Sequence, residues 1–206
     1  MKKLILCIAA ALLSYFVGGW NPAITFSKAV YKKDVRTCGS KNPGFTNFKR
    51  CFGNRWAWFV FVLDLFKAAA VEILFGLIFE KYYGAFTEGA LLCGFFALMG
   101  HAFPVWYGFK GGKGFLVCLS TVWVADWRCG LLATAVLVVL LLSTKYMSFS
   151  SVSSLLVSPV LLLLFGGKLH CVAFLALQVL FVAFRHKENF KRLKNGTESK
   201  FYFKTH

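Results

Sequence analysis

The stretch CGSKNPGFTNFKR, residues 38–50, is a polar insert between two long apolar runs, residues 4–20 and 56–79. Its two glycines and its proline favour turns, because glycine tolerates positive φ and proline fixes φ. Such turns, combined with Ser, Asn, Thr and Arg side chains, are typical of a loop that binds an anion. Loops beside membrane spans are also basic for topological reasons alone, so the stretch by itself leaves two interpretations open.

The composition around this loop is that of a membrane protein. The 206 residues are 58% hydrophobic and 18% aromatic, with a mean hydropathy of +0.65. A soluble domain has only about 45–50% apolar residues. Apolar runs continue to about residue 184 without a polar gap of domain size. The sequence therefore predicts an all-α, polytopic membrane protein with one domain, residues 1–206.

The excess of positive charge indicates which partners to expect. The chain carries 24 Lys and Arg against eight Asp and Glu, a formal net charge of +16. The basic residues lie in short gaps between apolar runs, as expected for loops beside anionic headgroups, and not on a continuous groove-reading face. We therefore expect membrane lipid and phosphorylated small molecules as partners, and no nucleic acid.

The distribution of the same charges predicts the topology. Residues 28–55 contain eight Lys and Arg against two at the N-terminus, so the first apolar run is expected to be retained, with the N-terminus outside. Seven spans would place 18 of the 24 basic residues in the cytoplasm, including a basic tail at 185–206. The fourth and fifth apolar segments, 115–125 and 130–144, are shorter than the 20 or so residues of a full crossing. We expect a multi-pass protein of the cytoplasmic (inner) membrane.

The second apolar run carries ionisable side chains, among them Asp64, Lys67 and Glu72. Asp64 and Lys67 are three residues apart and therefore share a helical face. An intramembrane pair of this kind is a candidate functional site, and a structural ion pair between helices explains it equally well.

The seven cysteines predict neither a disulfide framework nor a metal site. Their number is odd, they form no C-x-x-C pair, and most lie inside apolar runs. A buried cysteine usually behaves as a small hydrophobic residue. We therefore expect no disulfide, no metal and no cofactor.

Two further polar stretches carry residues suited to phosphate chemistry. FKGGKG, residues 109–114, matches neither the P-loop nor the Rossmann fingerprint, yet two lysines among three glycines can bind a phosphate. A flexible basic loop gives the same pattern. In RHKENFKR, residues 185–192, His186 and Asn189 share a helical face, where His can act as acid or base and Asn can orient an oxygen.

A serine-rich segment follows Lys145 and adds Ser148 and Ser151, which are three residues apart and share one helical face. Serines at such positions often bond only to the helix backbone. His101, which lies between Gly100 and Phe103, has the same simple explanation, since a lone histidine near a helix end commonly bonds to the backbone. The sequence therefore leaves the roles of these side chains open.

Taken in order, these stretches resemble the bacterial acyl-phosphate glycerol-3-phosphate acyltransferases, the PlsY family. The similarity runs through GSKNPGFTN at 39–47 with Arg50, GHAFP at 100–104 with FKGGKG, and RHKENFKR. The order and spacing match over essentially the whole chain. LDLFK at 63–67 and KYMS at 145–148 are similar to further signatures of that family.

The resemblance implies an enzyme with seven spans and a cytoplasmic active site. It would transfer a fatty acyl chain from acyl phosphate to the 1-hydroxyl of glycerol 3-phosphate, giving lysophosphatidic acid and phosphate in phospholipid synthesis. An acyl phosphate is already activated, so no covalent acyl-enzyme is required. The enzyme that forms acyl phosphate is a further candidate partner.

The resemblance also assigns roles by position. It implies Ser40, His186 and Asn189 as catalytic residues. It implies as substrate-binding residues Asn42, Gly44, Thr46, Asn47, Arg50, His101, Lys110, Gly111, Gly112, Lys113, Ser148 and Ser151. We expect Arg50 and Lys113 to hold phosphate groups, while His186 and Asn189 position the acceptor.

Two other classes of protein would also use a phosphate-binding loop. A transporter of phosphorylated anions is the main alternative, but the apolar segments show no obvious inverted repeat. The polar stretches also gather at one membrane face, whereas transporter sites lie near the midplane. A noncatalytic protein that binds anionic lipid is the third interpretation.

Overall fold

The computed structural model describes residues 1–203, and all regular structure within them is helical, which confirms the predicted all-α class. Residues 204–206, the end of the predicted basic tail, lie outside the described residues. The α-helices are α1 (Lys2–Gly19), α2 (Pro22–Tyr31), α3 (Phe45–Phe52), α4 (Ala57–Tyr83), α5 (Phe86–Ala102), α6 (Phe115–Ala125), α7 (Trp127–Thr144), α8 (Met147–Leu156), α9 (Ser158–Leu164), α10 (Leu169–Arg185) and α11 (Lys187–Lys194).

Local sequence signals explain where two of these helices begin. The side chain of Asn21 caps α2 by accepting a hydrogen bond from the Ile24 N–H at 3.0 Å, and Pro22 occupies the first helical position. Asp126 caps α7 in the same way, because its carboxylate accepts from the Arg128 N–H at 2.8 Å. The polar break that divides the fourth apolar segment from the fifth is therefore a helix start.

Several helical stretches are long and apolar enough to cross a membrane. Four meet this criterion alone, namely Lys2–Tyr31, Phe86–Tyr107, Trp127–Thr144 and Met147–Leu164, and the pair α10 and α11 adds a fifth although it bends by 53°. Helix α6 is apolar but has only 11 residues, as its sequence predicted. Helix α4 has 27 residues and would extend about 40 Å, but it carries ionisable residues. The chain is a multi-pass membrane protein.

The ends of consecutive helices alternate between two cavities. One cavity, of about 570 Å³, is lined by residues near the start of α4, the end of α5, the starts of α6 and α8, and the end of α10. The other, of about 270 Å³, is lined by the end of α4, the start of α5, the end of α6 and the starts of α7 and α10. Neighbouring long helices therefore run in opposite directions, and the two cavities lie at opposite ends of the bundle.

Buried side chains from α4, α5, α6 and α10 form the main core, as shown by Val71, Leu98, Val117 and Leu175. Helix α1 approaches α5 closely because Gly100 has no side chain, and a Cβ there would overlap the carbonyl oxygen of Tyr15. Small residues at such crossings are common between membrane helices. This packing fixes the end of α5 that reaches the larger cavity.

The ionisable residues inside α4 are paired or bonded. Asp64 and Lys67 form an ion pair at 2.8 Å, and both side chains are buried. Glu72 is fully buried and accepts hydrogen bonds from Ser120 Oγ at 2.7 Å and Thr121 Oγ1 at 2.6 Å. A buried polar group needs such partners, because leaving it without a hydrogen bond in hydrocarbon costs several kcal/mol.

The connection between α1 and α4 is more structured than a loop. It contains α2, a 3-10 turn at Val35–Thr37, and α3. Helix α3 turns the chain back so that the Cα atoms of Cys38 and Cys51 lie 6.4 Å apart, and the two residues form a disulfide. The expectation of no disulfide is therefore wrong at this pair. Four of the five free cysteines, Cys93, Cys118, Cys129 and Cys171, are buried, as predicted.

Candidate active site

The larger cavity contains most of the residues that the sequence singled out. Its lining includes Ser40, Asn42, Gly44, Thr46, Asn47, Arg50, His101, Lys113, Ser148, Ser151, His186 and Asn189. These residues come from five separate stretches of the chain, so the fold brings together the motifs that the sequence leaves far apart. Three predicted residues, Lys110, Gly111 and Gly112, are not part of this lining.

The loop before α3 is held in shape by the buried side chain of Asn47. Its amide oxygen accepts from the Ser40 N–H at 2.8 Å, and its nitrogen donates to the carbonyl oxygens of Val35 and Cys38, both at 3.1 Å. The N–H groups of Lys41 and Gly44 also donate within the loop. Asn47 therefore stabilises the loop. The N–H groups of Ser40, Lys41 and Gly44 already have acceptors within the loop, so they are not available to bind an anion.

The start of α3 supplies the main-chain donors instead. Gly44 is the residue that precedes the helix, and the following residues Phe45 and Thr46 also line the cavity. The first N–H groups of any helix lack intrahelical partners, and the helix dipole favours an anion there. Thr46 and Arg50 are four residues apart on this helix, so the Arg50 guanidinium joins the same face.

A charged network crosses the opposite wall of the cavity. Lys113 Nζ donates to Asn189 Oδ1, and Asn189 Nδ2 donates to Glu198 Oε1 at 2.7 Å. The Glu198 carboxylate also accepts from Ser148 Oγ at 2.8 Å and from Arg192 Nε at 2.7 Å. Asn189 and Ser148, both predicted site residues, are therefore oriented by Glu198.

The protonation of this network follows from its surroundings. Burial lowers the pKa of Lys113 to about 8, and the nearby charge of Arg192 acts in the same direction. Burial opposes ionisation of Glu198, but the hydrogen bonds from Asn189, Ser148 and Arg192 outweigh it and hold its pKa below the usual value. At neutral pH the wall thus carries one carboxylate among several cations.

His186 is a neutral side chain at this site. Burial lowers its pKa to about 4, and the nearby charge of Lys113 contributes. Its Nδ1 lies 2.8 Å from the carbonyl oxygen of Val182, so Nδ1 carries the proton and donates. Nε2 is then left as an acceptor that can receive a hydrogen bond from a hydroxyl group.

The glycine-rich loop lies behind the cavity wall and supports Lys113. Gly111 N–H donates to the carbonyl oxygen of Ala102 at 3.2 Å, and Gly112 N–H donates to that of His101 at 3.0 Å. The carbonyl oxygen of Gly112 accepts from Arg185 Nη2 at 2.9 Å. Lys110, which precedes them, is exposed. The two glycines therefore anchor the loop, and Lys113 is its member that reaches the cavity.

The C-terminal segment supplies cavity residues that were not predicted from the sequence. Arg192, Glu198 and Ser199 line the cavity because the chain after α11 folds back over the site. Phe201 is buried there, and its N–H donates to the carbonyl oxygen of Lys145 at 2.7 Å. Lys49 is also buried, and its Nζ donates to main-chain oxygens of this segment. The only available signal was that two acidic residues, Glu188 and Glu198, lie within a basic tail.

Part of the lining is apolar, which gives the cavity two chemical characters. Phe61, Leu116, Leu137 and Met147 line it together with the polar residues. Many apolar side chains on the outer surface of the bundle, such as Phe66, are exposed, as expected where helices face lipid. One cavity therefore offers cations for a phosphate group and apolar surface for a hydrocarbon chain.

Three side chains of types that can bind a metal lie close together at the second cavity. One ligand atom from each of Glu88, His170 and Cys171 lies within 4.8 Å of the others. Lys168 Nζ contacts Glu88 Oε1 at 2.6 Å, so this carboxylate already has a cationic partner. The residues form an ion-pair cluster at the end of the bundle away from the larger cavity.

The fold and the larger cavity define a class, an all-helical membrane protein with a cavity at one end of its bundle that is lined by both cationic and apolar side chains. The chain matches the family model of glycerol-3-phosphate acyltransferases over residues 8–196. This chain belongs to the glycerol-3-phosphate acyltransferase family, and it acts in phospholipid synthesis. The predicted family is confirmed, and the enzyme is favoured over the transporter and the noncatalytic lipid-binding protein.

Relatives of similar length support this assignment. A glycerol-3-phosphate acyltransferase of Rhizobium etli is 36% identical over 195 residues, which cover 95% of this chain and 91% of the relative. One of Finegoldia magna is 33% identical over 194 residues, which cover 94% of this chain and 95% of the relative. The match thus extends over nearly the whole of each chain.

Solved structures show the same fold. The crystal structure of PlsY, an integral membrane glycerol 3-phosphate acyltransferase, in its glycerol 3-phosphate form has a TM-score of 0.83 and 28% identity, covering 95% of this chain and 96% of that one. Its lysophosphatidic acid form has a TM-score of 0.83 and 26% identity, with 95% of both chains covered.

Proposed function

We propose that the enzyme uses acyl phosphate as its donor and transfers the acyl chain to the 1-hydroxyl of glycerol 3-phosphate within the larger cavity. The observation that carries this proposal is the double character of the lining, with Lys113, Arg50 and Arg192 beside Phe61 and Leu137. A donor with a phosphate head and a hydrocarbon chain needs both kinds of surface. The two substrates together also bring two phosphate groups to a site with several cations.

Arg50 and Lys113 are proposed to hold the phosphate groups, with help from Ser40, Thr46 and the start of α3. Arg50 is exposed at the cavity and is a planar fork suited to two phosphate oxygens. Lys113 adds a point charge from the opposite wall. The remaining predicted residues of the lining shape this site: Asn42, Gly44, Asn47, His101, Ser148 and Ser151. Gly111 and Gly112 support it indirectly by anchoring the loop of Lys113, and Lys110 is exposed outside the lining.

The proposed chemistry is a direct transfer. The 1-hydroxyl oxygen forms a bond to the acyl carbonyl carbon, the bond from that carbon to the phosphate oxygen breaks, and the departing phosphate takes the hydroxyl proton. His186 Nε2 accepts the hydrogen bond of the hydroxyl and orients it, since a pKa of about 4 makes His186 a weak base. Asn189 holds Lys113 in place beside the acceptor.

The proposed topology has seven spans in one domain, residues 1–206, with the N-terminus outside and the cavity facing the cytoplasm. It is supported by the alternating helix ends and by the basic residues around the larger cavity. Localisation to the inner membrane is part of the same proposal. The enzyme that forms acyl phosphate is proposed as a partner, because its product is an amphipathic donor.

The donor is tested by giving purified protein in detergent glycerol 3-phosphate with either palmitoyl phosphate or palmitoyl-CoA. We expect lysophosphatidic acid and phosphate in equal amounts with palmitoyl phosphate, and no product with palmitoyl-CoA. Arg50→Ala should lose most of this activity, whereas Arg55→Ala, which alters an exposed arginine outside the cavity lining, serves as the matched control. Turnover of palmitoyl-CoA alone would contradict the proposed donor.

A further inference from the structure

A buried triad of polar side chains lies beneath the glycine-rich loop. Lys67 Nζ is 2.8 Å from Asp64 Oδ1, 2.6 Å from the carbonyl oxygen of Trp20 and 3.1 Å from His101 Nδ1. The side chains of Asp64, Lys67 and His101 are all buried. The triad joins α4 to the end of α5 and to the chain that follows α1.

The hydrogen-bonding capacity of Lys67 determines which ring nitrogen of His101 carries the proton. An ammonium group has three N–H donors and no acceptor, and Lys67 has three neighbours at hydrogen-bonding distance. The contact with the Asp64 carboxylate favours the charged form of Lys67. A charged Lys67 can only donate, so His101 Nδ1, at 3.1 Å from Nζ, must accept from it, although Asp64 Oδ1 lies 3.4 Å from the same ring nitrogen. The proton of the neutral imidazole therefore lies on Nε2.

The other side of the His101 ring faces the loop that carries Lys113. Gly112 packs against Nε2 so closely that a Cβ at Gly112 would overlap the ring. The N–H of Gly112 donates to the carbonyl oxygen of His101 at 3.0 Å, which fixes the loop on the ring. Both His101 and Lys113 line the cavity, and within residues 1–203 His101 Nε2 has no hydrogen-bond acceptor.

We propose that Lys67 and Asp64 are positioning residues that hold His101 as its Nε2–H tautomer, so that His101 offers a fixed neutral donor to a phosphate oxygen of the substrate. This inference rests on the proposed function, because it takes the cavity as the phosphate site. A neutral N–H adds a hydrogen bond without adding another cation beside Lys67. The buried pair of Asp64 and Lys67 thereby supports the phosphate site through His101.

The tautomer is measured directly by NMR on protein labelled with ¹⁵N-histidine, with His101→Asn used to assign the ring signals. We expect Nε2 of His101 to be protonated and Nδ1 to be unprotonated. In Lys67→Met, Asp64 becomes the remaining polar neighbour, so Nδ1 should take a proton and donate to it. Protonated Nδ1 in the wild-type protein would overturn the proposal. This readout needs no turnover, so it stands apart from any failure of the proposed reaction.

The use of the donor is tested by two replacements of His101. Glutamine places an amide nitrogen near the position of Nε2, whereas asparagine places one near Nδ1. We expect His101→Gln to keep most of kcat/KM and His101→Asn to lose about tenfold, as for one hydrogen bond to a charged group. Lys67→Met should lose about as much, and Lys81→Met, at the exposed end of the same helix, should lose nothing. Equal activity of the two His101 variants would contradict the proposed donor.

Discussion

At the scale of single residues, burial sets the charge of two side chains that line the proposed acceptor site. Lys113 has its pKa lowered to about 8 and His186 to about 4. Near neutral pH, Lys113 is therefore mostly a cation and His186 is a neutral acceptor. This pair is suited to holding a phosphorylated alcohol, with the phosphate on one side and the hydroxyl on the other.

The lowered pKa of Lys113 predicts an alkaline limit to substrate capture. The charged form exists below about pH 8, so kcat/KM should fall as pH rises through that value in the free enzyme. Lys113→Arg keeps a cation at every accessible pH, since arginine stays protonated up to about pH 12. We expect this variant to have lower activity without the alkaline fall. The same fall in Lys113→Arg would contradict the assignment.

The lowered pKa of His186 predicts that it does not control the acid side of the profile. A phosphate ester such as the substrate has its own second pKa near 6, which gives an acid limb unrelated to the protein. His186→Gln should reduce kcat by about tenfold, as for one lost hydrogen bond to a substrate, but leave the position of that limb unchanged. A limb near pH 6.5 that disappears in this variant would show that His186 titrates.

At the scale of elements, the segment after α11 completes the site. Phe201 is buried against Phe45, with ring centroids 6.0 Å apart, and Glu198 from the same segment fixes Asn189 and Ser148. The segment is therefore part of the cavity wall, and the buried ring of Phe201 holds it there together with the hydrogen bonds of Phe201 and Glu198.

Removing that ring should release the segment while leaving the bundle folded. Phe201→Ala deletes a buried ring, a change that costs about 3–5 kcal/mol in a well-packed core, and here the cost should fall on the local segment. We expect faster hydrogen exchange in residues 196–203 and a large loss of kcat/KM, with little change in the melting temperature. Phe203 also contacts Phe201, with ring centroids 5.3 Å apart, but it is 51% exposed, so Phe203→Ala should have the smaller effect. Equal effects of the two variants would contradict this role.

The sequence predicted the elements better than their contacts. Apolar runs located the long helices, and the short α6 was anticipated from its 11 residues, because hydrophobic content is a local property. The return of Phe201 to Lys145 and the pairing of Lys49 with the same segment join residues far apart in the chain, so no local pattern reports them. The Cys38–Cys51 pairing depends on α3, which lies within a stretch that the sequence analysis treated as a polar loop.

The candidate site shows the same difference between residues that can be predicted locally and contacts that cannot. Arg50, Lys113 and His186 could be chosen from residue chemistry and from the family resemblance, and the fold brings them to one cavity. Glu198 could not be chosen, because its importance comes from three hydrogen bonds that exist only in the folded chain. Nothing in the residue types indicated that Asn47 stabilises the loop through its side-chain hydrogen bonds, because a buried and an exposed asparagine look alike in sequence.

At the scale of the whole molecule, the alternating helix ends give the bundle two chemically different faces. The larger cavity is rich in cations, and the smaller one is lined by Glu80, Glu88 and Asp126 with Lys168. The proposed orientation turns the positive face toward the cytoplasm, as the positive-inside rule predicts.

This orientation predicts the accessibility of engineered cysteines in spheroplasts. Lys187→Cys, on the exposed side of α11, should react with a membrane-impermeant maleimide only after permeabilisation. Lys81→Cys, at the far end of α4, should react in intact spheroplasts, because the proposed topology places it outside. Both should react after permeabilisation, which controls for steric access. The reverse pattern would contradict the proposed orientation.

The most direct test of the central claim, that phosphate and acyl chain meet in the larger cavity, is a structure of the protein bound to glycerol 3-phosphate and a non-hydrolysable palmitoyl phosphonate. We predict the phosphonate within hydrogen-bonding distance of Lys113 or Arg50, the 1-hydroxyl at His186 Nε2, and the chain along Phe61 and Leu137. A phosphonate bound away from these side chains, or an acyl chain on the far side of the bundle, would contradict the account.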